Sequence, residues 1–509
     1  MPSQVFPMNQ IFELVLYLGH IIPSIILLCF ALNLYVLMFF WFLNRKRRKN
    51  RIEVVRKEFD RRFTLDDLPH VVTQIPVYNE ANVVERVMRA AATMNYPAGR
   101  HTIQVLDDSN DETCALIDHV AADLRQQGHD VRVVRRPSRI GYKAGALQYG
   151  IEQTDADIFA IFDADFIPPR DFLMKTIPAL VIDDKVGLVQ ARWGHLNREH
   201  SPITHAEALG LDGHFTLDQG ARSYSGLFMN FNGTAGVWRR QAIDAAGGWQ
   251  HDTLTEDLDL SYRAQMAGWK CEYLFDLVVP AELPDNMNAL KAQQFRWAKG
   301  SIQTAIKLMP SIMRSNFSVI AKIEAFFQIC GYMVHPLILW VAFLSVPYSI
   351  FVKNYHYPST GPLPVLFMLG TMAPYIIYSV PQMLLYRKGW WRYVMYLPMI
   401  TIFGVGIAIS NTRAVFEAVM GKESAFMRTP KSGDKSVRKY KTRISRLTIL
   451  EILAGAYCVG AILYYLEVDK YAAVSYMMIC ALGFILVSVL SLLHALSGLR
   501  KEADIGSHA

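Results

Sequence analysis

Ile158-Phe159-Ala160-Ile161-Phe162-Asp163-Ala164-Asp165 is an unbroken apolar run that stops on two acids set two residues apart. A short apolar run bounded by polar residues reads as a strand buried on both faces. Such strands belong to α/β sheets, whose ligands sit beyond the carboxyl ends of the strands. Upstream the pattern repeats. Val71-Val72-Thr73-Gln74-Ile75 is a β-branched strand followed by a turn at Pro76 and a helix over 80–93. Ile103-Gln104-Val105-Leu106 ends on Asp107-Asp108-Ser109, and Val131–Val134 makes a further strand. Strands alternating with helical stretches predict a mostly parallel sheet with two acidic pairs at one edge.

Outward from this domain the texture changes. The chain has 509 residues, 52% of them hydrophobic, and the excess lies in the first 43 residues and beyond Lys307. Ile11 to Leu43 is longer than the roughly 20 residues that cross a bilayer. It lacks the basic n-region of a cleaved leader, and its apolar core exceeds the roughly 7–15 residues of an h-region, so a retained helix is expected. Arg45-Lys46-Arg47-Arg48-Lys49 follows it and places the middle domain in the cytoplasm. Further apolar runs cover 326–352, 363–386, 391–410, 447–467 and 471–495. If all crossed, the basic loop 422–446 would lie outside. Letting 391–420 dip into the inner interface restores the charge rule and leaves five spans, with six as the alternative.

The net charge of +7 comes with basic clusters at 45–57 and 428–446, beside membrane segments. Anionic headgroups account for them, so no nucleic-acid partner is expected. The six cysteines show no metal-type spacing and read as packing residues.

Asp163 and Asp165 suit a hard divalent cation neutralising a diphosphate. Asp107 and Asp108, with Pro76, Tyr78 and Glu80, suit a nucleobase; the competing reading of Asp108-Ser109 is a cap for a helix beginning near Thr113. Lys143, in Gly141-Tyr142-Lys143-Ala144-Gly145-Ala146, stands at a helix start, where an ammonium and free N–H groups meet phosphate oxygens. A solvated lysine would look the same. Thr255-Glu256-Asp257-Leu258-Asp259 opens another helix, and Asp257 is the expected base, against the alternative of an acidic helix cap. Gln293-Gln294-Phe295-Arg296-Trp297 puts an amide, a guanidinium and an indole within about one turn. Arg296 can pair with a pyrophosphate and Trp297 can stack on a sugar, or the pair can be an interfacial anchor.

The ordered set DD, DxD, TED and QxxRW at 107, 163, 255 and 293, between membrane segments, resembles the processive family 2 glycosyltransferases, and most of all the cellulose synthase-like proteins that make mannan or glucan backbones. Val189-Gln190-Ala191-Arg192-Trp193 and Phe231-Asn232-Gly233-Thr234-Ala235-Gly236-Val237-Trp238 support the likeness. Phe426-Met427-Arg428-Thr429-Pro430-Lys431 looks like the family's gating loop, with Arg428 where Val is usual.

The resemblance implies a GT-A-like α/β catalytic domain with an α-helical transmembrane bundle. It divides the chain into an N-terminal helix and basic linker (1–68), a cytoplasmic catalytic domain (69–310), a membrane region with the loop 422–446 (311–497) and a cytoplasmic tail (498–509). It implies inverting polymerisation of a β-glucan, β-mannan or glucomannan from UDP-glucose or GDP-mannose with Mg²⁺ or Mn²⁺, and export of the chain. Thr255, Glu256 and Asp257 would be catalytic. Pro76, Tyr78, Glu80, Asp107, Asp108, Lys143, Asp163, Asp165 and Arg296 would hold the donor, Asp163 and Asp165 also the metal. Asn232, Gly233, Thr234, Gln293 and Trp297 would hold the acceptor, and Thr429 and Lys431 the gating contact. The growing glycan, the bilayer and an accessory export subunit are the partners this reading allows. The plasma (inner) membrane is placed ahead of the Golgi. The rival activity is transfer of a single sugar to a membrane lipid.

Overall fold

The computed structural model describes residues 8–355, 362–423 and 446–506. Its centre is a seven-stranded sheet in the order β3-β2-β1-β4-β6-β5-β7. The strands are β1 (Val71–Val77), β2 (His101–Asp107), β3 (Asp130–Val134), β4 (Ile158–Ile161), β5 (Val186–His195), β6 (Gly236–Arg239) and β7 (Lys270–Ala281). The helix expected over 80–93 is Val84–Ala92. Strand β6 is antiparallel to both β4 and β5, while the other neighbouring pairs are parallel. The sheet is therefore mixed in its second half.

That reversal positions the site. The carboxyl ends of β1, β2, β4, β5 and β7 share one edge, and the reversed β6 begins at that same edge. The residues just before it, Asn232 to Ala235, are thereby delivered beside the ends of the parallel strands. Two apolar layers hold the sheet: Val71, Ile75, Val105 and Val237 pack on one face, and Val72, Phe159, Ile161 and Trp238 on the other.

Pro76 lies inside β1 and not in a turn after it. Its ring removes an N–H, but β4 pairs with β1 only as far as Gln74, so the missing donor breaks no ladder.

Around this domain five helices are long and apolar enough to cross a membrane: Asn9–Lys46, Gly331–Phe351, Pro362–Leu385, Leu447–Glu467 and Tyr471–Leu496. The first belongs to one 55-residue helix, Met8–Arg62, that continues from the apolar run through the basic linker. The 391–420 stretch is a pair of helices, Trp390–Gly406 and Ala408–Val419, bent by 45° at their junction. Counted as one crossing it would raise the total to six, the alternative left by the sequence.

Candidate active site

The shared strand edge opens into a cleft lined by Tyr78, Asp108, Lys143, Asp163, Asp257 and Arg296 among others. Most of the residues singled out in the sequence meet here. Pro76, Glu80, Asp165, Asn232, Gly233, Thr255, Glu256, Gln293 and Trp297 also line it.

Asp107 and Asp108 part ways, as alternating strand-end residues must. Asp107 turns inward, where its carboxylate accepts from Arg135 Nε at 2.7 Å and from the Ser109 N–H at 3.0 Å. Asp108 faces the cleft and is gripped from two directions by Arg136, Nε–H to Oδ1 at 2.8 Å and Nη2–H to Oδ2 at 2.6 Å. The helix Thr113–Gln126 takes its first-turn contact from Asp111, whose Oδ1 accepts from the Thr113 N–H. The N-cap position of this helix is Glu112, so Asp108 does not serve as its cap. Beside Asp108, the Arg139 guanidinium lies over the Tyr78 ring, 3.3 Å from its centroid. A planar cation on an aromatic face makes a flat slot that suits a heterocyclic base.

Lys143 is not solvated. Gly141, at φ +72°, bends the chain sharply before helix Tyr142–Glu152, and Lys143 projects from its first turn into the cleft. Its Nζ donates to Asp163 Oδ1 at 2.5 Å and to the Gly233 carbonyl at 2.8 Å. Burial disfavours the ammonium, but Asp163, Glu256 and Asp257 outweigh it and raise its pKa. Thr234 does not reach the cleft; its buried hydroxyl accepts from the Asp163 N–H at 2.9 Å and fixes the DxD turn. Gly233 has φ +81°, and a Cβ there would stand 3.0 Å from Asp257 Oδ2 and 3.3 Å from Lys143 Nζ. A side chain here would be strained by the backbone and would crowd both the Asp257 carboxylate and the Lys143 ammonium.

Glu256 and Asp257 open the helix Glu256–Met266. Asp257 Oδ1 accepts from the Leu258 N–H at 2.8 Å, so the acid sits on free amides at a helix N-terminus. Even so, burial first and the neighbouring Glu256 charge second push its pKa up to about 7. Glu256 is likewise raised by burial. Arg296, across the cleft, is lowered by burial against the pull of Glu256, Asp163, Asp257 and Asp165. Burial thus disfavours the charged form on both sides of the cleft, and the neighbouring Glu256 adds to it at Asp257.

Gln293, Arg296 and Trp297 lie on the 28-residue helix Met287–Arg314. Spacings of three and four residues put them on one face together with Gly300. A Cβ at Gly300 would meet Thr255 Cγ2 at 2.5 Å and the Thr255 N at 2.7 Å. This bare helix surface lets QxxRW approach TED, and the glycine at the next turn of the 293/296/297 face was the signal that could have shown it.

Sequence reasoning also missed Arg136 and Arg139, which hold Asp108 and cover Tyr78, and it gave Trp193, near the end of β5, no role in the site although its segment supported the family likeness. Trp193 packs edge-on to Phe166, with ring centroids 5.0 Å apart, and lines the cleft. Thr429 and Lys431 lie outside the described residues.

A second cavity rises from the cleft between the membrane helices. Trp193, Leu211, Asn232, Thr255, Asp257 and Trp297 line both. Its wall adds Phe30, Leu34, Phe215, Phe327, Tyr332 and Tyr378, aromatic and apolar faces set among amides such as Asn230 and Gln328.

Residues 69–300 match the family profile described as "Glycosyltransferase like family 2". The chain is 34% identical to "Probable glucomannan 4-beta-mannosyltransferase 1" of Arabidopsis thaliana over 416 residues, covering 78% of this chain and 73% of that protein. It is 33% identical to "Glucomannan 4-beta-mannosyltransferase 7" of the same plant over 437 residues, 82% and 76% of the two. Among solved structures, a "Mannosyltransferase PcManGT from Pyrobaculum calidifontis in complex with GDP-Man and Mn2+" superposes with a TM-score of 0.48 at 18% identity, over 78% of this chain and 100% of that one.

Proposed function

Because the chain belongs to glycosyltransferase family 2, in its cellulose synthase-like branch, we propose that it polymerises a β-linked mannan or glucomannan backbone from GDP-mannose and passes the product into the membrane. The chain is a β-glycan hexosyltransferase of membrane type. The choice of mannose over glucose rests on its relatives. The observation that carries the rest is the shared wall, since the residues at the reacting end of the cleft also begin the membrane cavity.

In this reading the nucleobase enters the slot between Tyr78, Arg139 and Asp108, and the diphosphate lies over the DxD. Asp163 and Asp165 fit a divalent cation. The Asp163 carboxylate already holds the Lys143 ammonium, and a cation of this kind is commonly held by one or two carboxylates plus substrate phosphates. Among the described residues no cluster of three or more His, Cys, Asp or Glu side chains forms a full cage, so the donor's own oxygens would complete the coordination. When bound, the cation supplies neutralisation of the leaving diphosphate.

Asp257 takes the proton from the acceptor hydroxyl as that oxygen attacks the anomeric carbon opposite the nucleotide. The bond from that carbon to the diphosphate oxygen breaks in the same displacement, which turns an α-linked donor into a β-linked product. Arg296 and Lys143 meet the charge that develops on the leaving group. Trp297 offers its face to the acceptor sugar, and Gln293 and Asn232 offer amides to its hydroxyls. A base whose pKa lies near 7 combines ionisation with proton affinity at neutral pH.

The test is nucleoside diphosphate release by purified protein with Mg²⁺ or Mn²⁺ and, separately, GDP-mannose, UDP-glucose and UDP-N-acetylglucosamine. Products are sized by linkage-specific glycanases. GDP release with a long product cut by β-mannanase is expected. Turnover that needs added lipid and stops after one sugar would move the activity to glycolipid synthesis.

A further inference from the structure

The helix Met287–Arg314 carries, besides the face it turns to the cleft, two lysines that no step above uses. Lys291 lies two residues before the Gln293–Trp297 segment and Lys299 two residues after it. Both are buried, and each meets a buried acid. Lys291 Nζ is 2.5 Å from Glu451 Oε1, and Lys299 Nζ is 3.1 Å from Glu417 Oε2. Glu451 belongs to the candidate span Leu447–Glu467, and Glu417 to Ala408–Val419, the second half of the bent pair. The segment that carries Arg296 and Trp297 is therefore pinned on both sides to two different helices of the membrane region.

Adhesion alone does not call for these charges. Met287 and Leu290 already pack among Phe403, Ile407 and Val487, and Ile302 packs on Val415 and Ala418. A well-packed apolar pair of similar volume is often as stable as a buried ion pair, or more so. What the ion pair adds is direction, because ammonium and carboxylate must face each other across hydrogen-bonding distance. Apolar ridges can also mesh after a small slide or rotation. A slip of one residue along this helix would swing Arg296 by about 100° around the axis.

We propose that Lys291–Glu451 and Lys299–Glu417 are positioning pairs that fix the register and rotation of the Met287–Arg314 helix against the membrane bundle. They keep Arg296 and Trp297 aligned with Asp257 while the lengthening product moves past them. This inference rests on the polymerase reading above. Glu417 also accepts from Arg413 Nε at 2.8 Å, but Arg413 is half exposed and water can replace that partner.

The test uses full-length double variants that replace each pair by apolar side chains of similar length, K291M/E451M and K299M/E417M, with the reversed pair K291E/E451K as rescue. At parental yield and donor KM, the apolar variants are expected to lose about tenfold or more in kcat and to make shorter product, and the reversed pair to restore both. A loss of folded protein alone would lower yield without shortening the product. Parental kcat and product length in the apolar variants would overturn the proposal. If those variants do not assemble, Lys291→Arg and Lys299→Arg keep the charge but move its contact point. Shortened product from them supports the register role, and parental length overturns it. A parent chain that releases GDP without making polymer would sink the polymerase reading instead. Register is then read by disulfide cross-linking of N288C to S491C, at a contact where the Asn288 amide donates to the Ser491 carbonyl at 3.1 Å. Reduced cross-linking in the apolar variants supports the positioning role, and undiminished cross-linking defeats it.

Discussion

In the sheet domain Phe159, Ile161 and Trp238 are fully enclosed and acids collect at one open edge; in the membrane bundle Leu453, Leu482 and Leu493 face outward while Glu451, Gln382 and Asn411 are enclosed. The solvent explains the inversion. Water drives apolar side chains inward, whereas lipid tails are as apolar as leucine and give such side chains no reason to hide. The bundle closes through small residues, as where a Cβ on Gly406 would meet the Gly483 carbonyl oxygen at 2.4 Å. Paired polar groups, such as Lys291 with Glu451, orient the neighbouring Met287–Arg314 helix against it. Buried charge then carries two meanings. In the bundle each named charge faces a counter-charge and holds architecture together. In the cleft Asp257 is buried beside the like charge of Glu256, which raises its pKa, and there charge marks chemistry.

The sharpest way to break this comparison is Asp257→Asn. Removing a general base is expected to cost roughly 10²–10⁴-fold in kcat with donor binding retained, measured by GDP release and by donor titration. The same change should raise the melting temperature at pH 8. A carboxyl whose folded pKa of about 7 exceeds its unfolded value destabilises the fold once pH climbs above the unfolded pKa, with the full cost reached above 7. Below about pH 4 the difference should vanish. An Asp257→Asn protein that melted lower at pH 8 would remove the distinction between the two kinds of buried charge.

Next comes Glu451→Gln, which strands Lys291 and should cost about 3–5 kcal/mol of stability in denaturation of the detergent-solubilised protein. In the interface between the two regions, Gly300→Ala drives a methyl into Thr255. It should lower kcat by roughly tenfold to a hundredfold with the protein still folded, since small misplacements at a reacting centre reach that size. For the parent enzyme, kcat/KM should rise about tenfold per pH unit below 7 and level above it, as the base ionises. A flat profile from pH 5 to 8 would exclude Asp257 as the titrating group. The smallest effect belongs to Leu453→Ala on the outer face of the bundle, expected within about 0.5 kcal/mol, where the same truncation at a fully buried sheet position would cost several times more.

These contrasts also explain what could be read without coordinates. Strands β1 to β4 are short runs rich in apolar and β-branched residues, and β2 and β4 run into acidic pairs; those periods and endings are local, so the strand edge and most of the cleft were legible. Strand β6 was not: Gly236-Val237-Trp238-Arg239 is too short to mark itself, and only pairing with β4 and β5 reveals that it runs backward, away from the site, and so delivers Asn232 and Gly233 to the strand edge. The division of labour between Asp107 and Asp108 depended on which side of a strand each faces and on Arg135 and Arg136, contributed from beyond β3. The family resemblance makes Thr234 an acceptor contact, whereas its hydroxyl accepts from the Asp163 N–H and braces the DxD turn. The pairs in the bundle were the least legible. Lys291 and Glu451 are separated by 160 positions, and nothing local marks either as the other's partner.

The unbroken helix Met8–Arg62 gives the molecule a gauge length. At about 1.5 Å per residue it runs roughly 80 Å, from the apolar segment to the flank of the sheet. There Arg51, on the basic stretch beyond the apolar segment, reaches Asp183 at 3.4 Å as well as Glu272. A rigid rod joined at both ends transmits length and twist together. One residue added between 49 and 57 would lift the sheet domain by about 1.5 Å and turn it by about 100°, whereas a near-complete turn of three or four residues would almost restore its heading. Tolerated changes in this rod should therefore come in whole turns, a spacing rule imposed by screw symmetry that the flexible loops of the same chain do not share.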